Sequence, residues 1–116
     1  MHNTYITLKK ETWLEVINKV NELPEKDIYM FILRSLANSQ QVSYFSIAAF
    51  NKDFIEDQEH AGQSNNIFIS QITRVINKLI DEDLDDNTTW YIWHTTDKAW
   101  VLGWESFNNL RKAIKS

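Results

Sequence analysis

The side chains best suited to chemistry form one acidic run in the C-terminal half of the chain. Its members are Asp81, Glu82, Asp83, Asp85 and Asp86. Carboxylates at alternate positions open the calcium-binding loop of an EF-hand. That loop needs glycine at its sixth position and a bidentate glutamate at its twelfth, where this chain has Asp86 and Ile92. The run therefore does not predict a calcium site.

Two interpretations of the acidic run stay open. It is either a solvated helix end or a contact site for a cationic partner. Carboxylates near a helix C-terminus are electrostatically unfavourable, because the helix dipole is negative there. A cluster of five carboxylates that is kept despite this penalty favours the contact-site hypothesis.

Catalytic and metal-binding chemistry lacks its usual residues. The chain has no cysteine, which removes thiol catalysis and cysteine-based zinc sites. His2, His60 and His94 share no ligand spacing, and His94 is expected to lie buried or at the rim of a strand. There is no Gly-x-Ser-x-Gly elbow, and two glycines cannot build a phosphate-binding loop. We expect no enzyme activity, no metal and no cofactor.

Tryptophan is concentrated just after the acidic run. Four of the five tryptophans fall within one short segment: Trp90, Trp93, Trp100 and Trp104. Two aromatic, β-prone stretches surround the polar turn 95–98. This pattern predicts a β-hairpin with strands over 89–94 and 99–104.

The predicted hairpin carries aromatic residues on both of its faces. Successive residues of a strand point to opposite sides, so Trp90 shares one face with Ile92. Tyr91 shares the other face with Trp93. Either the fold covers both faces or a partner covers one. Because tryptophan and tyrosine dominate interface hot spots, we expect partial exposure and partner contact at Trp90, Tyr91 and Trp93. Core positions are expected for Trp100, Leu102 and Trp104.

Length and composition predict one domain over residues 1–116. The chain is 43% hydrophobic, enough for a real core. Neither a signal peptide nor the ~20 apolar residues that span a bilayer are visible, which predicts a soluble, cytoplasmic protein. The net charge of −4 argues against nucleic acid as a partner, although one face of an acidic protein can still be basic. It favours a basic partner.

Apolar periodicity and helix-end signals predict a helix-rich α+β fold with a C-terminal aromatic hairpin and a short final helix. Helices are predicted over 9–22, from Pro24 onward, over 67–82, and from a Ser106 cap to the C-terminus. The first helix is expected to be capped by Thr7, or by a Thr12–Glu15 capping box.

Two central segments are less regular. Residues 42–50 fit either a strand or a helix capped by Ser43, and we favour the helix. The Asp53-x-x-Glu56 capping box predicts a short helix that runs to His60, with Gly62 just past its end.

The order of these elements also resembles a winged-helix DNA-binding domain, with the turn 95–98 as the wing. The helix 67–82 would then read a DNA groove. Its reading side chains would be Ser70, Gln71, Arg74 and Lys78. Three features oppose this alternative: the helix runs into five carboxylates, Lys98 in the wing sits beside Asp97, and the net charge is negative.

A short, acidic, cysteine-free and aromatic-rich chain without catalytic apparatus resembles the immunity proteins of bacterial contact-dependent growth-inhibition and bacteriocin systems. The resemblance covers size and character and rests on no motif. It implies binding to a cognate toxin, often a basic nuclease, whose nucleic-acid cleft is occluded. The residues expected to make that contact are the acidic run with Trp90, Tyr91 and Trp93. A phage-type inhibitor of a host defence complex is an alternative with the same features.

Overall fold

The computed structural model describes residues 4–50, 66–84 and 88–115. Over these residues the chain forms five helices and five short strands, which confirms a helix-rich α+β fold. In chain order they are β1 Thr4–Tyr5, α1 Lys10–Val20, α2 Lys26–Ser39, β2 Gln41–Ser43, α3 Tyr44–Phe50, α4 Ile67–Ile80, β3 Thr88–Thr89, β4 Ile92–His94, β5 Ala99–Val101 and α5 Trp104–Lys115. The expected short helix from Asp53 to His60 lies outside the described residues.

Helix α1 follows the predicted apolar spacing, with Trp13, Val16 and Val20 fully buried. Both predicted caps are wrong. Lys9 occupies the N-cap position without a side-chain hydrogen bond, and its carbonyl accepts the Trp13 N–H at 3.0 Å. The burial of Trp13, rather than a capping hydroxyl, therefore sets the start of α1.

Helix α2 begins at Lys26, two residues after the predicted start at Pro24. It packs on α4 through an edge-on contact between Tyr29 and Phe68, with ring centroids 6.0 Å apart. Burial, together with the nearby Glu25 carboxylate, raises the pKa of Tyr29 above its ordinary value. The phenol therefore stays neutral and serves packing.

The segment 42–50 contains both of the structures considered for it. Its first residues complete β2, and Tyr44 then begins α3. The Ser43 hydroxyl oxygen accepts the Ser46 N–H at 3.1 Å, so the predicted Ser43 cap is confirmed. The chain enters β2 through Gln40, which adopts a left-handed backbone conformation. The Gln40 side-chain N–H donates to the Leu102 carbonyl, and the Gln40 carbonyl accepts the Leu102 N–H, both at 2.9 Å. These two bonds fix this corner against the end of β5.

The predicted hairpin is confirmed, with strands shorter than expected. Strand β5 lies between β2 and β4 in an antiparallel sheet. Trp93 lies opposite Trp100. A separate parallel pair joins β1 to β3, so the N-terminal strand closes beside the segment that precedes the hairpin.

Among the described residues the element order is α2, β2, α3, α4, β4, β5, with β5 in the middle of the three-stranded sheet. Helices α1 and α5 are additions to that arrangement, and they pack against each other. Helix α4 in turn packs on α1. No helix within the described residues is long and apolar enough to cross a membrane.

Helix α5 begins at Trp104, so the prediction that Ser106 caps it is wrong. Ser106 is buried, and its hydroxyl oxygen accepts the Leu8 N–H at 3.0 Å. The expected core position of Trp104 is also wrong, because its side chain is 65% exposed. Phe107 and Leu110 form the buried side of α5. Trp104, the first residue of the helix, does not belong to this buried side. Trp100 and Leu102 are buried as expected.

We expect Ser106→Ala to lower the free energy of unfolding by about 1–3 kcal/mol, because the buried Leu8 N–H would lose its acceptor. Urea unfolding followed by circular dichroism measures this. The matched control is Ser46→Ala on the exposed side of α3, which keeps the Ser43 cap acceptor and should stay within about 0.5 kcal/mol. Equal effects of the two substitutions would contradict a role for Ser106 in joining the N-terminal segment to α5.

Candidate protein-binding surface

The C-terminal end of α4 presents three carboxylates in a fixed turn. Asp81 terminates the helix in a left-handed conformation, with φ 56° and ψ 44°. The Asn77 carbonyl accepts the N–H groups of Asp81 and Glu82. The Asn77 side-chain oxygen accepts the Leu84 N–H at 3.1 Å. One asparagine therefore organises the whole turn, and sequence reasoning did not single it out.

The side chains of this turn are available to a partner. Asp81, Glu82 and Asp83 are all exposed. Together with Asn77 and Lys78 they line an open depression of about 250 Å³. Among the described residues none of the three carboxylates has an ion-pair partner within 4.0 Å. The unpaired carbonyls of the last helical turn add negative potential at the same place. Asp85 and Asp86 lie outside the described residues.

The expectation that Trp90 is accessible is wrong. Its side chain is 1% exposed. The indole N–H donates to the Thr73 hydroxyl of α4 at 2.8 Å, and the ring meets Trp13 edge-on at 6.0 Å. Residues 90 and 91 form a bend between β3 and β4 rather than part of a strand. Strand alternation therefore does not apply there, and the bend turns Trp90 into the core.

Tyr91 and Trp93 are partly exposed, as expected. The Tyr91 ring meets Trp90 edge-on, with centroids 5.1 Å apart. Trp93 packs on buried Trp100 at 4.9 Å. Trp90 is hydrogen-bonded to Thr73 of α4, which lies one helical turn before Asn77. The bend with Tyr91 and the acidic turn are thus attached to the same helix, the bend at its middle and the turn at its end.

His94 lies at the rim, at the end of β4, which is one of the two positions expected for it. Its side chain is about half exposed at the hairpin turn. The His94 Nδ1 atom lies 3.3 Å from the Asp97 carboxylate. An exposed pair of this kind contributes little stability. Within residues 4–50, 66–84 and 88–115, no three histidine or acidic side chains are grouped so as to hold a metal ion.

The residues of the DNA-reading alternative do share one side of α4. Arg74 and Lys78 are exposed, while Ser70 and Gln71 are partly buried. The Arg74 guanidinium donates to the Gln71 side-chain oxygen at 3.4 Å. Lys78, however, opens onto the same depression as the three carboxylates. The carboxylates of the C-terminal turn therefore lower the positive potential around Lys78.

Comparison with protein-family models, with curated proteins and with solved structures gave no significant match.

We expect Trp90→Ala to destabilise the fold by about 3–5 kcal/mol, because it removes a fully buried indole and the bond to Thr73. Trp104→Ala is the matched control, since it removes the same side chain from an exposed position and should cost less than about 1 kcal/mol. Thermal and urea unfolding compare the two variants. If Trp104→Ala proved the more destabilising, the assignment of Trp90 to the core and Trp104 to the surface would be wrong.

Proposed function

We propose that the protein is a non-enzymatic inhibitor that binds and neutralises a basic toxin domain, in the manner of an immunity protein. The observation that carries the proposal is the exposed turn Asp81–Glu82–Asp83, held by Asn77 at the end of α4. Tyr91 and Trp93 supply partly exposed rings attached to the same helix and hairpin.

The charge of this turn suits one class of partner. A nuclease holds nucleic acid with lysine and arginine side chains aimed at successive phosphates. Three adjacent carboxylates offer those side chains an alternative array of anionic oxygens. Complementary charge of this kind mainly accelerates association, whereas packed aromatic anchors slow dissociation.

The order of the turn matters for affinity. Binding ordinarily costs conformational entropy, because loops and side chains must be immobilised. Here the backbone from Asp81 to Leu84 is already tied to Asn77 by hydrogen bonds. The carboxylates are therefore presented from a preformed turn, and part of that cost is avoided.

The proposal predicts that an adjoining reading frame encodes a basic toxic domain. The test is co-expression with that domain, followed by growth measurement and by binding kinetics of the purified pair. We expect growth rescue and a one-to-one complex. Glu82→Lys with Asp83→Lys should slow association about tenfold or more at low salt, because attraction becomes repulsion.

Glu15→Lys with Glu22→Lys is the matched control, since both carboxylates are exposed on or beside α1 and the net charge changes equally. Association should be much less affected by this pair. Absence of a complex would contradict the proposed function. A tight complex with the same association rate in both double variants would show that the acidic turn is not part of the interface.

A winged-helix DNA-binding regulator is the second candidate, because the strand order β2, β5, β4 and the helix order favour it. This candidate predicts a retarded band with the protein's own promoter DNA at ~0.1 M salt. Arg74→Glu with Lys78→Glu would abolish that band. Under the inhibitor proposal, duplex DNA gives no retarded band, and these two substitutions leave growth rescue unchanged.

A further inference from the structure

A second surface of the protein has the opposite charge and also carries exposed rings. We call it the aromatic–basic strip. It consists of residues from the N-terminal segment and from the outer side of α5: Tyr5, Lys9, Lys10, Trp104, Arg111, Lys112 and Lys115. These residues are far apart in sequence and play no part in the acidic turn.

One close approach and two hydrogen bonds attach the N-terminal segment to α5. Tyr5 lies so close to Gly103 that a Cβ atom there would come within 2.9 Å of the Tyr5 ring. Three residues later, the Leu8 N–H donates to the Ser106 hydroxyl at 3.0 Å. The Leu8 carbonyl accepts the Asn109 side-chain N–H at 2.9 Å. The N-terminal segment therefore runs along α5 in the same direction as the helix.

One end of the strip exposes aromatic surface. Trp104 is 65% exposed and Tyr5 is 49% exposed. Both rings have fixed support: Tyr5 rests on Gly103, and Trp104 packs against Phe107 with centroids 5.6 Å apart. The Arg111 guanidinium lies over the same Phe107 ring, 5.3 Å from its centroid. Phe107 thus holds an indole and a cation in line along α5.

The rest of the strip is basic. Residues 4–10 and 104–115 together contain five cations against one carboxylate, Glu105, in a chain whose net charge is −4. The next acidic residue along the chain after Lys10 is Glu11, in the first turn of α1. Positive charge is therefore concentrated on these two segments, and the net charge of the remaining residues is more negative than the −4 of the whole chain.

We propose that the aromatic–basic strip binds single-stranded nucleic acid, with a base stacked on Trp104 and the backbone following α5 toward Lys115. Stacking on an exposed ring beside a row of cations is how single strands are held without sequence preference. The helix rise places Lys115 about 16 Å from Trp104, which is long enough for a strand of several nucleotides to contact both ends of α5. A duplex has no exposed base faces to offer Trp104.

The burial of α5 favours this ligand over a lipid surface. An interfacial helix must insert its apolar face into the bilayer. In α5 that face, with Phe107, Leu110 and Ala113, is already buried in the core. Only the rings at one end and the cations remain outside, which suits a narrow, flexible polyanion.

Fluorescence anisotropy with a labelled oligothymidylate of about twelve nucleotides tests the proposal on the full chain at ~0.05 M salt. We expect binding that Trp104→Ala weakens about tenfold, because one base no longer stacks. Phe45→Ala is the matched control, because Phe45 is 60% exposed on α3, away from the strip, and its removal should leave affinity unchanged. Circular dichroism of each variant verifies the fold.

The salt dependence tests the cations separately. Lys9→Gln with Lys115→Gln should reduce the slope of log affinity against log salt by about 0.7 for each phosphate that no longer meets a cation. Lys19→Gln with Lys26→Gln, which removes two exposed cations elsewhere, should leave the slope unchanged.

Several outcomes would overturn the proposal: failure to bind the oligonucleotide, equal weakening in variant and control, or binding that depends on Arg74 and Lys78 instead. So would binding of phosphatidylserine vesicles with no binding of the oligonucleotide. Dependence on Arg74 and Lys78 would favour the DNA-binding candidate described above. The other results do not involve the acidic turn, so they leave the proposed inhibitor function to its own test.

Discussion

The burial of Trp90 is the constraint on which the rest of the structure depends. Its indole joins three parts of the chain that are distant in sequence: the Trp13 ring of α1, the Thr73 hydroxyl of α4 and the bend that leads into the hairpin. The bond from the Trp90 indole N–H to the Thr73 hydroxyl holds the bend against α4, whereas the buried Trp13 indole N–H has no acceptor among the described residues. The bond to Thr73 places Tyr91 at the surface and keeps the hairpin attached to the helix that ends in the acidic turn.

Acidic and basic side chains lie on different surfaces of the fold, which the net charge of −4 does not reveal. The acidic turn follows α4, where Asn77 fixes the backbone. The aromatic–basic strip follows α5, where Ser106 and Asn109 fix the N-terminal segment. In both places a buried or partly buried polar side chain sets the position of exposed charged residues. Each surface is therefore presented from an ordered backbone, which lowers the entropy cost of binding.

The order of helices and strands does not by itself assign a function, since one fold supports many activities. In a DNA reader the helix in the position of α4 presents its outer side to phosphate. Here that side carries Arg74 and Lys78 but ends in three exposed carboxylates. The added pair of α1 and α5 creates a further surface outside this arrangement. The distribution of charge, rather than the topology, is what favours a cationic protein partner for α4.

The sequence by itself determined most of the helices and the hairpin, but not the parallel pair of β1 and β3. Apolar spacing located α1, α4 and α5 to within a few residues, and the two aromatic stretches around 95–98 located the hairpin. These patterns are local, because a helix or strand shows its buried face in its own periodicity. The tertiary structure alone decided which tryptophans are buried. Trp90 enters the core from a bend, where alternation has no meaning, and Trp104 leaves it because Phe107 and Leu110 already fill the inner side of α5. Exposure at those positions depends on which distant residue supplies an acceptor or occupies the space, and no short stretch of sequence contains that information.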